Sequence, residues 1–127
     1  PVSDFCFDMM ITLFAPFCEE EFHRILKSGG IMIMVIPDER HLLEFKQKIY
    51  DSPYLNQVGD YSLKSFEFIE AIKVSDRITI DNNKDIMNLF SMTPYYYKTG
   101  IEGSERVSQM NDLETEIAFQ ILVYKSC

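Results

Sequence analysis

Between Phe7 and Ile36 the chain carries two buried-strand signatures separated by one helix-sized charged segment, and few folds accommodate that order. Phe7-Asp8-Met9-Met10-Ile11-Thr12-Leu13 is nearly all apolar, and Ile31-Met32-Ile33-Met34-Val35-Ile36 is wholly so. Strands covered on both faces, as in parallel sheets, read this way. Pro16 suits the first turn of an intervening helix, where its missing N–H costs nothing, and Glu19, Glu20 and Glu21 complement the positive helix start. Lys27 and Gly29 supply the end signals, and Pro37-Asp38 stops the second strand. Strand, helix and strand at this spacing need a right-handed crossover, which predicts parallel pairing. The unit opens at the first residues of the chain, so a parent chain is expected to continue upstream.

At 127 residues and 46% hydrophobic, the chain suffices for one domain or a large part of one. No apolar run is long enough to cross a bilayer and no basic-then-apolar leader is present, so the expected setting is soluble and cytoplasmic, with no membrane partner. Cys6, Cys18 and Cys127 lack CxxC spacing, which argues against a zinc site or a disulfide framework within this chain. The formal charge is −8 and the basic residues are scattered, so this segment alone should bind nucleic acid poorly. The basic surface of a nucleic-acid enzyme would lie elsewhere.

Further along, Asp38 can cap a helix from Glu39 to about Tyr50, with Leu42, Phe45 and Ile49 as its apolar stripe and Lys46 and Lys48 pointing away. Ser52 to Ser62 reads as loop. From Phe66 to Ile80 the period is two, which fits either one long bent strand or a hairpin near Ser75-Asp76. Asp81-Asn82-Asn83 caps a short helix burying Ile86, Met87, Leu89 and Phe90, which ends before Pro94. Ile101 to Met110 is polar and only weakly helical. Glu116 to Tyr124 alternates as a closing strand, with Ile117, Phe119, Ile121 and Val123 on one face.

Three motifs carry a resemblance. Phe14-Ala15-Pro16 is followed by Glu21-Phe22-His23-Arg24-Ile25-Leu26-Lys27-Ser28-Gly29-Gly30; Pro37-Asp38-Glu39-Arg40-His41-Leu42-Leu43-Glu44-Phe45-Lys46 is followed by Ile49-Tyr50; and Met92-Thr93-Pro94-Tyr95 comes later. In that order they resemble the C-terminal half of a class I S-adenosylmethionine (SAM)-dependent methyltransferase, most closely the RlmA group, which methylates guanine N1 in large-subunit ribosomal RNA. Ser28 stands where that group usually has proline. The resemblance implies an α/β fold, with residues 1–127 as the C-terminal half of a Rossmann-like sheet: parallel strands flanked by helices, plus an antiparallel C-terminal strand. It also implies SAM as cofactor, ribosomal RNA as partner, and zinc only in an N-terminal four-cysteine module that this chain lacks. No G-x-G-x-x-G occurs here, and Gly29-Gly30 sits at a helix end as a turn device. The isolated chain is therefore expected to be inactive.

By the same resemblance His41 falls at a position that contacts SAM, at the carboxyl edge where open α/β sheets bind ligands. Taken on residues alone, it reads as an exposed helix histidine. Arg40 could hold a carboxylate or an RNA phosphate in a bidentate contact, or be a solvated surface residue. Phe14, Ala15 and Pro16 occupy the turn that lines the methyl-transfer site in this superfamily, with core packing as the rival role for Phe14. Thr93, Pro94 and Tyr95 are the candidate substrate-binding residues. The run Tyr95-Tyr96-Tyr97-Lys98 can stack an unpaired base or serve as ordinary packing. His23 reads as solvated.

No residue stands out as the base for N1 deprotonation, since Asp38 and Glu39 are explained equally by helix capping. Two other readings compete: a small-molecule SAM methyltransferase, and a non-catalytic truncated paralogue acting through protein contacts. If the first strand of the domain is missing, Phe7 to Leu13 becomes a flat uncharged edge, which predicts self-association of the fragment.

Overall fold

The computed structural model describes residues 1–127. In chain order it contains β1 (Phe7–Leu13), α1 (Glu19–Ile25), β2 (Leu26–Pro37), α2 (Leu43–Ile49), β3 (Phe66–Ile80), α3 (Asn83–Met92), α4 (Tyr95–Lys98), α5 (Ile101–Ser108) and β4 (Leu113–Ser126). The four strands form one sheet in the order β1-β2-β4-β3. β1 and β2 are parallel, from Met9 opposite Ile31 to Leu13 opposite Val35. β2 and β4 are antiparallel, from Ile31 opposite Lys125 to Pro37 opposite Phe119. This is the mixed α/β architecture of the expected half-domain, with the parallel pair and the antiparallel closing strand in place. No helix is long and apolar enough to cross a membrane.

The residues divide into two compact units. The first comprises Pro1–Asp38, Gln57–Val74 and Phe119–Cys127, with a core of Leu26, Met32, Phe66, Leu122 and Tyr124. Met10, Met34 and Ile36 add to this core from β1 and β2, and Phe22 adds to it from α1. The opposite residues of β1, Phe7, Met9, Ile11 and Leu13, are exposed. On β4 the deeply buried residues here are Gln120, Leu122, Tyr124 and Ser126, whereas Phe119, Ile121 and Val123 are half-buried. The apolar alternation thus marked the less covered face.

Lys27-Ser28-Gly29-Gly30 does not close α1. The helix stops at Ile25 with Leu26 already extended, and the four residues form an irregularity inside β2, where the register jumps from Leu26 to Ile31 while β1 advances from Phe7 to Met9. Gly29 adopts a left-handed φ of +78°, and a Cβ on Gly30 would stand 2.9 Å from the Lys27 carbonyl oxygen. Across this bulge the Lys27 ammonium meets Asp8 at 2.8 Å.

The second unit comprises Glu39–Asn56 and Ser75–Ala118. Its core is Leu42, Phe45, Ile49, Ile86, Phe90, Tyr95, Val107 and Leu113. α3 starts as read: the Asn82 side chain accepts the Asp85 N–H at 2.8 Å, and Ile86 and Phe90 are buried one turn apart. Asn83 then donates to the carbonyls of Val107 and Met110, at 3.0 and 2.7 Å, closing the end of α5. α5 itself is a full helix where the sequence is polar. Its Gly103 and Val107, one turn apart, are the buried positions, and a Cβ at Gly103 would lie 2.8 Å from the Ile49 carbonyl oxygen.

α2 begins later than its capping signal. Its N-cap is Leu42, with a left-handed φ of 54° and no side-chain cap. Asp38 instead accepts the Gln120 side-chain amide at 2.7 Å within the first unit, because a buried glutamine needs an acceptor more than a helix start needs a cap. Lys46 does not point away from the apolar stripe: it is 0% exposed. The segment after α2 folds over it and supplies the oxygen partners a buried ammonium requires.

Candidate functional site

The sequence-nominated residues fall in both units, and each group is held by its own network. In the first unit, Phe14 directly follows β1. Its N–H still donates to the Val35 carbonyl at 3.1 Å, but its φ of 48° is left-handed, which turns the chain out of the sheet. A bulky residue in this region is uncommon and carries strain. The Phe14 ring is more than half exposed and meets Phe119 edge-on, with centroids 5.4 Å apart. Ala15 and Pro16 are exposed beside it. The carboxyl end of β2 carries a second network. The Tyr61 hydroxyl donates to Gln120 Oε1 at 2.5 Å, Gln120 Nε2 donates to Asp38, and the Tyr124 hydroxyl donates to the Tyr61 carbonyl at 2.9 Å. Burial raises the pKa of the Tyr124 hydroxyl, so it stays a donor.

In the second unit Arg40 and His41 lie in a turn before α2 rather than on a helix. The turn is tied down at several points. The Asn56 N–H donates to the Glu39 carbonyl at 2.9 Å, the Leu42 N–H to the Glu116 carbonyl at 2.8 Å, and the Ala118 N–H to His41 Nδ1 at 3.1 Å. Since a backbone N–H can only donate, Nδ1 is bare and the neutral ring carries its proton on Nε2. Burial, and then the charge of Lys46, lower the His41 pKa. Arg40 is largely exposed and lies 3.5 Å from a Glu116 carboxylate oxygen, leaving the rest of its donor fork at the surface.

Glu44 fastens α2 to the β4 residues of the same unit. One oxygen takes the Glu116 N–H at 2.9 Å and the Thr115 hydroxyl at 3.1 Å, and the other takes Arg77 at 2.9 Å. Burial pushes this carboxyl upward, but the donors outweigh it and hold its pKa at about 2.

The Met92-Thr93-Pro94-Tyr95 segment sorts differently from its sequence order. Thr93 is buried and its hydroxyl donates to the Phe90 carbonyl at 2.8 Å. Tyr95 is buried against Tyr50, and desolvation lifts its hydroxyl pKa to about 12. Pro94 is exposed and opens the short α4. The accessible rings are the next two, Tyr96 and Tyr97, the latter 84% exposed and edge-on to Tyr96 at 5.2 Å. Sequence reasoning missed Gln120 and Lys46. Gln120 had a signal, as a single polar residue inside an apolar alternation on β4. Lys46 had none, because a lysine next to a helical stripe reads as its solvated border.

No family model matches this chain. It is 28% identical over 128 aligned residues, 97% of the chain, to a curated protein of Bacillus subtilis (strain 168) named "Putative 23S rRNA (guanine-N(1)-)-methyltransferase YxjB". That similarity bears out the resemblance read from the motifs. The chain spans 45% of the relative's length.

Proposed function

We propose that this chain is the C-terminal portion of a SAM-dependent methyltransferase that transfers a methyl group to guanine N1 of large-subunit ribosomal RNA in the cytoplasm. The observation that carries the proposal is the similarity, over 97% of this chain, to a protein named as a 23S rRNA guanine-N1 methyltransferase. The strand order β1-β2-β4-β3, with a parallel pair and an antiparallel closing strand, supports it.

The residues present suit part of a SAM site. His41 carries a hydrogen-bond donor on Nε2, Arg40 offers a guanidinium to a carboxylate, and Phe14-Ala15-Pro16 place an exposed ring after the first parallel strand. SAM, when bound, supplies an electrophilic methyl on a sulfonium centre. Taken unit by unit, His41 and Arg40 are the candidates of the second unit for its polar end, and Phe14 is the candidate of the first for a ring contact with the cofactor or the target base. Pro94, with the neighbouring accessible tyrosines, would meet the RNA, and buried Thr93 and Tyr95 would shape the loop that carries them. The N1 proton must leave as the methyl arrives, so orientation of the base is the main requirement placed on these residues. The 127-residue chain alone, without a glycine-rich loop, would transfer nothing.

The test uses the full-length native protein that carries this sequence, incubated with methyl-labelled SAM and a large-subunit ribosomal RNA hairpin, followed by nucleoside mass spectrometry. Label in 1-methylguanosine is the expected result. Label in a small molecule, or SAM binding without transfer to RNA, would overturn the substrate assignment.

A further inference from the structure

Lys46 is a fully buried ammonium in the second unit with no carboxylate beside it. Its side chain is 0% exposed, and its partners are the Tyr54 carbonyl at 2.9 Å, the Asn56 side-chain oxygen at 2.7 Å, and the Tyr54 and Tyr95 ring faces at 4.6 and 5.9 Å. None is a carboxylate. Burying an ammonium without a counter-charge is expensive even when its three donors are served, and an apolar residue of similar length would fill the space at less cost. The charge is therefore better explained by what it organises than by the stability it adds.

What it organises is the turn that carries Arg40 and His41. Asn56, whose side chain Lys46 grips, donates its own backbone N–H to the Glu39 carbonyl at 2.9 Å. The ammonium thus fixes the loop that in turn fixes the first residue of the turn, while α2 fixes the last through the Lys46 N–H to the Leu42 carbonyl at 3.0 Å. One residue spans both ends of a four-residue segment. We propose that Lys46 is a positioning residue for the Glu39–Leu42 turn, acting through Asn56, and so sets the orientation in which His41 and Arg40 meet a ligand. The ligand class, a SAM-like cofactor, rests on the function proposed above, but the mechanical role does not.

The same arrangement has an electrostatic consequence. His41 accepts the Ala118 N–H at Nδ1 and must stay neutral to do so, and the Lys46 charge opposes its protonation. The other charged groups on the turn and its surroundings are Glu39, Arg40 and the Arg40-paired Glu116, with Glu44 committed to Arg77. Replacing Lys46 by an apolar residue should therefore loosen the turn and also let His41 protonate at a higher pH, both because the ring becomes less buried and because the opposing charge is gone.

The experiment compares Lys46→Met and Asn56→Ala with the unaltered full-length native protein, using NMR titration of the His41 ring, amide exchange at Asn56 and Ala118, and calorimetry with SAM. In Lys46→Met the expected results are amide exchange faster by roughly tenfold or more, a His41 pKa closer to the free value, and SAM affinity weaker by about tenfold. Asn56→Ala should reproduce the faster exchange and weaker binding with a smaller rise in the His41 pKa than Lys46→Met, because the Lys46 charge remains while part of the burial is lost. Unchanged exchange and titration in a folded Lys46→Met would overturn the positioning role. If Lys46→Met does not fold, unchanged exchange in Asn56→Ala overturns it on its own. Unaltered protein that binds no SAM would refute the cofactor reading alone, and the NMR measurements would still decide the role of Lys46.

Discussion

The Ala118 N–H and the His41 imidazole form a one-way hydrogen bond, 3.1 Å long, in which the backbone can only donate and the ring must accept at Nδ1. Protonating His41 puts a second donor on that line, so the folded protein resists it, and burial together with the Lys46 charge adds to the resistance. With a folded pKa below the unfolded value near 6.5, the unfolded chain binds more protons in the interval between the two. The associated stability is complete above pH about 6.5 and is lost as pH falls from there through the folded value. Urea midpoints at pH 7.5 and pH 5 should differ more for the native sequence than for His41→Ala. Equal differences would mean that the ring is indifferent to its charge.

Glu44 works in the opposite acid range. Its carboxylate is charged in the fold down to a pKa of about 2, because hydrogen bonds from Glu116, Arg77 and Thr115 outweigh the cost of its burial. Between about pH 4.5, where an unfolded glutamate titrates, and pH 2 the unfolded state takes the proton first, so this contribution is lost on acidification. Glu44→Gln should cost about 2 kcal/mol at neutral pH, the order expected for charge-assisted bonds to a partly buried carboxylate, and should flatten the acid limb of the stability profile. Chemical denaturation across pH 2 to 7 provides the check.

Legibility of the fold from sequence followed how local the determining physics is. β1 was readable from its apolar run, and α3 from the Asn82 cap with Ile86 and Phe90 one turn apart, because each signal sits inside its own element. α5 was hidden because its buried positions are Gly103 and Val107, and a glycine chosen for close approach to the Ile49 carbonyl lowers the helix signal it would otherwise give. Asp38 looked like a cap, yet its partner Gln120 is 82 residues away. Lys46 looked solvated, yet its partners come from a loop with no periodicity to read. Arg40 and His41 were nominated by motif resemblance, whereas the residues that hold their turn were not, because supporting contacts carry no motif.

Gly103 gives a prediction in which two effects compete. Alanine improves intrinsic helix propensity by about 1 kcal/mol relative to glycine. A Cβ here would stand 2.8 Å from the Ile49 carbonyl oxygen and 2.3 Å from Thr99 Cγ2, and a backbone carbonyl on the end of a neighbouring helix cannot simply rotate away. Overpacking of this kind costs roughly 1–3 kcal/mol, so the net change in Gly103→Ala should be destabilising despite the better helix former. A raised melting temperature in calorimetry would show that α5 can back away from α2 at little cost.

The last prediction concerns β1, which pairs with β2 on one side and lies at the edge of the sheet. Met9 is 53% and Ile11 is 59% exposed, Phe7 and Leu13 are exposed as well, and the only charged side chain along the strand is Asp8. Natural edge strands carry charges, prolines or bulges that block pairing with another chain, and beyond the irregularity at Phe7 and Met9 this one is regular. The 127-residue chain should therefore associate through β1 with a second copy of itself, in antiparallel register about a twofold axis. The burial pattern selects the variant. Met10 packs toward the first core, so a lysine there would bury a charge and unfold the chain, whereas Ile11→Lys places the charge on the exposed face. Sedimentation should show a dimer or larger species for the native sequence at high micromolar concentration and a folded monomer for Ile11→Lys. A well-folded native monomer at that concentration would contradict the prediction, because it would require the edge to be protected by something other than its own side chains.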